Sequence, residues 1–344
     1  MTWRIFALLY ALAVANPLHA TARDHIEIVG TGAALDIVQA VSTRFAGHTD
    51  HPAPRFQMTG TGMGFDAFCR GIGFEHPDLM ISSRRIQPGE LDTCLRNGVH
   101  EISEIEIARD ALVLIGGAHT ISTNFSRTQL FTALAEAVPQ KNQWVSNPAT
   151  HWNDIDPELD IGAIKIMGPP PGSPAEYQFL ESLMAPGCFA HRLISGLSEA
   201  ERYEACRTTR QGPAYRPGGR TEADIVEWLT ANPDGLALVS YSAYRTASHQ
   251  DFVLQRIDGS LPTAETIGNG QYPLIRPTLI YVKKRHVESV PGLQALLYAL
   301  TGEVALGPEG YLSQTGLLPL DDIGRNRARD IAIGLIPLRH DRTR

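Results

Sequence analysis

The residues whose types and spacing could do chemistry lie between Arg55 and Ile86, in the stretch RFQMTGTGMGFDAFCRGIGFEHPDLMISSRRI. Residues 55–59 read as a strand. Gly60, Gly62 and Gly64 then turn the chain tightly into the amphipathic start of a helix around Phe65, Phe68 and Cys69. A strand, a glycine turn and a helix start make an anion cradle. The first N–H groups of a helix lack internal acceptors, and its dipole favours negative charge at that end. Residues 78–82 read as a second, buried strand that delivers Ser83 and Arg84 to the carboxyl edge of the same sheet, the edge at which open α/β sheets bind ligands. The chemistry expected of this set is recognition of a small anion.

The elements that must position these groups are legible on either side. Residues 25–29 form a strand, Gly30-Thr31-Gly32 a turn and 35–45 an amphipathic helix, a second unit of the same kind that can converge on the same ligand. Residues 88–97 read as a helix ending at Gly98, and 104–115 as a strand long enough to leave one lobe and enter another. Beyond it the pattern gives a loop at 116–123, a helix at 127–137, an irregular stretch at 144–157 and a strand at 163–167. Gly168 to Glu176, GPPPGSPAE, opens a helix running to about 184. A short helix falls within 188–208, a mobile loop at 211–219, a helix at 221–231 and a strand at 236–241. Strands at 253–257 and 278–283 and helices at 294–301 and 308–315 complete the chain. Strands alternating with helices imply an α/β protein with mostly parallel sheets.

Residues 1–20 carry one early Arg, an apolar run and a small residue at Ala20, the pattern of a cleaved secretory signal, which leaves enough chain for two lobes. The net charge of -7, with both signs dispersed, speaks against a nucleic-acid surface but not against one local anion pocket. Four cysteines in an exported chain suggest disulfides, with proximity favouring Cys69 with Cys94 and Cys188 with Cys206. The histidines form no metal-ligand cluster, and no cofactor is expected. No nucleophile elbow, H-E-x-x-H, P-loop or S-x-x-K set is present, so an enzyme is not expected.

The segments IVGTGAALDIVQAVSTRF, TGTGMGFDAFCRG, SSRRIQPGELDTCLRNGV, EIEIARDALVLIG, NDIDPELDIGAIKIMGPPPGS, GLALVSYSAY and TIGNGQYPLIRPTLIYV follow one another in an order that resembles the PstS-type phosphate-binding proteins of bacterial ABC uptake systems. The resemblance implies a type II periplasmic-binding-protein fold. Lobe one would hold residues 24–115 and 255–337, lobe two residues 116–254, and crossing strands would join them around a ligand cleft. It implies a periplasmic monomer that hands its anion to a membrane permease, with Thr31, Gly32, Ala33, Gly60, Thr61, Gly62, Ser83, Arg84 and Ser173 at the ligand positions. Several of these depart from the family pattern. The first loop keeps a single hydroxyl, that of Thr31. Arg84 stands where many members place an acidic acceptor, and either meets a deprotonated anion or pairs with a nearby carboxylate. In lobe two the family's Ser-Gly-Thr becomes Ser173-Pro174-Ala175 with Glu176 following. Pro174 has no N–H, and Ser173 with Glu176 reads as a self-sufficient capping box. The competing reading is therefore a binding-protein fold whose ligand has changed or gone, serving as a sensor input or interaction module.

Overall fold

Alternation along the first strands sorts their side chains onto two faces of one sheet. Ile28, Leu79, Ile81, Ile280 and Val282 point to one side, and Val29, Met80, Leu279 and Tyr281 to the other. The computed structural model describes residues 23–218, 221–246, 252–315 and 317–339. The signal expected at 1–20 lies outside them. Strand β1 (Glu27–Gly30) pairs in parallel with β2 (Arg55–Met58) and β3 (Leu79–Ser82). Helix α1 (Leu35–His48) lays Ile37, Val38, Val41 and Phe45 on the first face, a spacing that keeps one helical stripe apolar. Helix α2 (Thr61–Phe68) lays Phe65 and Phe68 on the second. Helix α3 (Pro88–Arg96) opens with proline and a Gln87–Glu90 capping box, and Cys69–Cys94 ties it to the end of α2.

Strand β4 (Ile102–Gly116) is buried over most of its 15 residues because it has neighbours on both edges and cover on both faces. Strands β5 (Ile166–Gly168), β6 (Tyr215–Pro217), β7 (Leu236–Ser240) and β8 (Ile275–Lys283) complete the sheet in the order β2-β1-β3-β8-β4-β7-β5-β6, with Val253–Leu254 also pairing on the end of β4. The outer pairs are parallel, while β8 runs antiparallel to β3 and β4, and β7 antiparallel to β4. The sheet is therefore mixed, with its antiparallel pairs at the centre. Ile102 to Ala111 of β4 pair with β8, and Leu112 to Gly116 pair with β7. The hydrophobic core divides at the same point. Ile105 and Ala108 pack with α1, and Ala111 to Ile115 pack with β7, Phe125 and Trp152.

Several expectations change. The stretch from 144 is not irregular at its start. Gln143–Ser146 pairs with Ala137–Gln140 in a hairpin whose turn uses Lys141 at φ 56°, and helix α4 (Arg127–Leu134) before it stops at Leu134. A proline inside the first strand hid that pairing. The supposed mobile loop contains β6, parallel to β5, which buries Tyr215. The helix from Pro174 continues past Gln178 as a π-helix at Phe179–Met184, the 253–257 strand is two short pieces, and the 308–315 helix is a 3-10 turn at Tyr311–Thr315. A helix at Asp322–Gly334, capped by Asp321, was not expected and packs Ala328 and Ala332 on the first face. Both disulfides pair as expected, Cys69–Cys94 and Cys188–Cys206. No helix among the described residues is long and apolar enough to cross a membrane.

Far along β8, Lys283 is fully buried, donates to the Gly71 carbonyl at 2.6 Å and lies 4.9 Å from the Phe68 ring centre. Asp78, Arg23, Glu75, His76 and His286 surround it, and Asp78 is already engaged by Arg23, His286 and the Glu27 N–H. Burial pushes the Lys283 ammonium down to about 7, and the Asp78 charge offsets only part of that. The unfolded chain, with its lysine near 10.5, holds a proton between pH 7 and 10.5 that the folded chain lacks. Stability should rise with pH across that window, by up to about 1.4 kcal/mol per unit from this group, and gain no slope from it at lower pH. Urea unfolding at pH 7 and pH 9 should therefore show a smaller rise in Lys283→Met than in the parent; equal rises would contradict the assignment.

Candidate anion-binding site

The register of β1 with β2 and β3 brings Gly30, Met58 and Ser82 to one edge, so the three turns that follow emerge together. Close approach fixes Gly30, since a Cβ there would lie 2.5 Å from the Ile81 carbonyl oxygen. The Gly30 carbonyl accepts from the N–H groups of Thr59 and Gly60, at 3.0 and 3.1 Å, which pins the second turn to the first strand. Gly60 then takes φ 78°, a left-handed value that a side chain would strain, and α2 begins. No side chain caps α2, and its first internal bond runs from Gly64 N–H to the Gly60 carbonyl. The N–H groups of Thr61, Gly62 and Met63 thus precede that bond and carry the positive end of the helix dipole.

At this helix start the hydroxyls of Thr61 and Ser83 stand 3.5 Å apart, both half-buried. Ser83 is presented there by a local turn. The buried Ser82 hydroxyl donates to the Arg84 carbonyl at 2.5 Å and accepts from the Arg84 N–H at 3.2 Å. Two of the expected donors are committed elsewhere. Thr31 is buried with its N–H on the Ile81 carbonyl at 3.1 Å, and the Gly60 N–H serves the scaffold. Gly32 and Ala33 lie in a one-turn 3-10 helix, and the Met58 sulfur packs so near Gly32 that a Cβ there would be 2.9 Å from it.

Arg84 does not stand open to a ligand. Its guanidinium makes a two-pronged pair with Glu90, at 2.8 and 2.7 Å, and donates to the Arg85 carbonyl at 3.0 Å. Burial works against its charge, yet the hydrogen bonds and field of Glu90 outweigh it and hold the group above its ordinary value. Arg85 is paired in turn, with Glu104 and at 3.8 Å with Glu106. Of the two readings open for Arg84, the carboxylate pairing is the one the geometry contains.

Ser173 stands at the start of helix α5 (Pro174–Gln178), which follows β5 in the other half of the sheet. Its hydroxyl accepts from the Glu176 N–H at 3.1 Å, so this helix start is satisfied by its own side chain. Glu176 also reaches back, but to the Gly172 N–H at 2.6 Å rather than to that of Ser173. The tight turn after Pro170 explains the shift, because the Ser173 N–H already bonds the Pro170 carbonyl at 3.2 Å.

The structure thus gathers Thr61, Gly62 and Ser83, keeps Gly32 and Ala33 at the same edge, and places Thr31, Gly60, Arg84 and Ser173 in structural bonds. Tyr177, Gln87 and Glu90 were missed. Gln87-Pro88-Gly89-Glu90 does spell a capping box with proline at its first helical position, which could have nominated Glu90 as a fixed carboxylate six residues after Arg84. Among the described residues no group of His, Cys, Asp and Glu is arranged to hold a metal.

A family model described as a PBP superfamily domain matches residues 15–303. The chain belongs to the PBP superfamily. Relatives of the chain are solute-binding rather than enzymatic proteins, and the solved ones share the two-lobed α/β fold. Among curated relatives, this PBP-superfamily chain is 22% identical to the protein SphX of Synechocystis over 312 residues, covering 89% of this chain and 82% of the relative. It is 23% identical to the phosphate-binding protein PstS of Staphylococcus saprophyticus over 320 residues, covering 88% of each. Among solved structures it resembles a possible phosphate-binding protein from Planctomyces limnophilus, with TM-score 0.62 and 19% identity over 91% of this chain and 98% of that one. PstS from Borrelia burgdorferi superposes with TM-score 0.63 and 14% identity over 87% of this chain and 100% of that one. Both structures share its fold.

If Arg84 is a structural partner, Arg84→Ala should cost about 1–3 kcal/mol in urea unfolding, because it leaves the Glu90 carboxylate, only 17% exposed, without its counter-charge. Adding Glu90→Gln should recover part of the loss. A cost below about 0.5 kcal/mol would instead mark Arg84 as loosely held and open to a ligand.

Proposed function

We propose that this protein is exported to the periplasm, holds one small oxyanion of the phosphate class between its lobes, and passes it to an ABC permease. Export rests on the signal-like pattern of residues 1–20, and the permease on the resemblance to PstS-type proteins and the phosphate-binding name of the Staphylococcus saprophyticus relative. We take the chain to work as a monomer. Lobe one would comprise residues 24–115 and 255–337 and lobe two residues 116–254; the change of strand partner and of core between Ala108 and Leu112 supports a division along β4, and the packing of Ile257, Ile267, Tyr272 and Leu274 with Ala111 to Ile115 would move both bounds toward a larger lobe two.

The observation that carries the reading is the uncapped start of α2 with the Thr61 and Ser83 hydroxyls 3.5 Å apart beside it. Two hydroxyls and the N–H groups of Thr61, Gly62 and Met63 can surround an oxyanion without a counter-cation. Charge-assisted bonds of this kind are worth about 1.5–3 kcal/mol each. Gly32 and Ala33 would add backbone donors from the first turn. Ser173 would contribute little, because its hydroxyl is engaged within α5.

A second reading, a binding-protein fold with a changed or lost ligand that serves a membrane sensor or another partner, is favoured by two particular observations. Arg84 is neutralised by Glu90, and the Ser173 helix start is occupied by Glu176.

A thermal-shift panel on protein stripped of bound solute separates the two. Phosphate, sulfate, phosphite, phosphonates and small carboxylates would each be tested. A true ligand at a hundred times its dissociation constant should stabilise by about 2.7 kcal/mol. That gain should be lost in Thr61→Val with Ser83→Ala; no response to any anion would favour the second reading. Replacing Pro174, Ala175 and Glu176 by Gly, Thr and Arg should raise phosphate affinity, and an unchanged affinity would contradict the claim that self-capping weakens the second lobe.

A further inference from the structure

Tyr177 is 37% exposed, an unusual position for a ring that no apolar core claims. It lies on α5, and its N–H bonds back to the Ser173 carbonyl at 3.1 Å, so the self-capped helix start fixes where the ring points. Its hydroxyl accepts from the Gln87 side-chain amide at 3.0 Å. Its ring centre lies 5.5 Å from the Arg84 guanidinium carbon, while Phe65 lies 5.3 Å from the same carbon. Arg84 is therefore flanked by two aromatic rings, one from α2 and one from α5. Gln87 and Arg84 follow β3, whereas Tyr177 follows β5, so the contact joins elements from the two halves of the sheet.

Each partner is prepared for this contact by a bond that needs no ligand. Glu90 grips the edge of the Arg84 guanidinium and leaves its faces for stacking. The Gln87 backbone N–H is held by Glu90 at 2.9 Å, which leaves its side-chain amide to reach outward. Ser173 and Glu176 satisfy the start of α5, so that helix can present Tyr177 whether or not an anion is present. One hydrogen bond and one exposed cation–π contact together correspond to about a tenfold shift in a two-state equilibrium.

We propose that Tyr177 and Gln87 form a clasp that holds the two lobes closed without ligand, with Arg84 as the surface on which the Tyr177 ring rests. Tyr177 is then a positioning residue that governs how readily the cleft admits a solute. The inference rests on the two lobes of the proposed function but not on the identity of any anion.

Small-angle scattering of the anion-stripped mature protein tests it directly. The parent should be compact, and Tyr177→Ala should give a larger radius of gyration at the same concentration and pH. Tyr177→Phe keeps the ring over Arg84 and loses only the hydrogen bond, so it should fall between them, and Gln87→Ala should match Tyr177→Phe. Equal radii for the parent and Tyr177→Ala would overturn the proposal, as would a Gln87→Ala protein that differs from Tyr177→Phe. Should Tyr177→Ala fail to fold, the Gln87→Ala and Tyr177→Phe pair decides alone, and radii equal to that of the parent would overturn the clasp. Because no anion is present, a silent ligand panel would leave this result standing, and an unchanged radius would leave the ligand reading standing.

Discussion

The geometry of the site depends on one strand that belongs to both halves of the molecule. β4 runs unbroken for 15 residues and trades its antiparallel partner from β8 to β7 near its middle. At that change of partner Asp110 is buried, and it accepts from the Arg276 guanidinium at 2.7 Å, from the Ser242 N–H and hydroxyl, and from the Ala111 N–H. Removing one partner from such a network leaves a buried charge uncompensated, so it strongly fixes how the two halves meet. The turns that follow the strands on either side inherit that angle. The α2 start hangs from β1, β2 and β3 on one side, and α5 hangs from β5 on the other.

Two helix starts, one from each half of the sheet, are built in opposite ways. The start of α2 keeps glycines at positions 60 and 62 and has no side-chain cap, so its N–H groups still offer a field to an anion. The start of α5 has serine, proline and glutamate, which answer its own donors from within. A site with one open cradle holds its ligand mainly from one lobe. On the proposed function, binding energy would be concentrated in Thr61, Ser83 and the adjacent backbone, and closure would not depend on donors from the second lobe. The pairing of Arg84 with Glu90 follows the same logic, because an arginine placed beside a cradle would otherwise dominate it electrostatically.

Much of this is legible in the sequence. Strands with clear alternation and helices with caps appear where their residues place them, and the glycine spacing at 60–64 located the cradle. Both cysteine pairs and the self-capping of Ser173 followed from short-range chemistry. What escaped reading was non-local. The parallel pairing of β6 on β5 is invisible in a stretch rich in Gly and Pro, and the hairpin after Leu134 is masked by Pro139. The Asp322–Gly334 helix fully buries only two alanines, side chains too small to announce a buried face, with Ile331 partly covered beside them. In the site, the fate of Arg84 was decided by Glu90 and by Tyr177, which lies more than ninety residues further on in the chain. The commitment of the Thr31 N–H to Ile81 likewise appears only when β1 and β3 are paired.

On the proposed function, an oxyanion is held by the first-lobe cradle with little help from the second. Backbone amide NMR of the mature protein, titrated with the anion that most raises its melting temperature, tests it most directly. The amides of Gly32, Ala33, Thr61, Gly62 and Met63 should move with the anion and saturate together, while those of Ser173 to Glu176 should stay nearly still apart from shifts shared by the whole lobe. Large, saturating shifts at Ser173 to Glu176 with a quiet Thr61 and Gly62 would contradict the account and place the ligand on the opposite wall of the cleft.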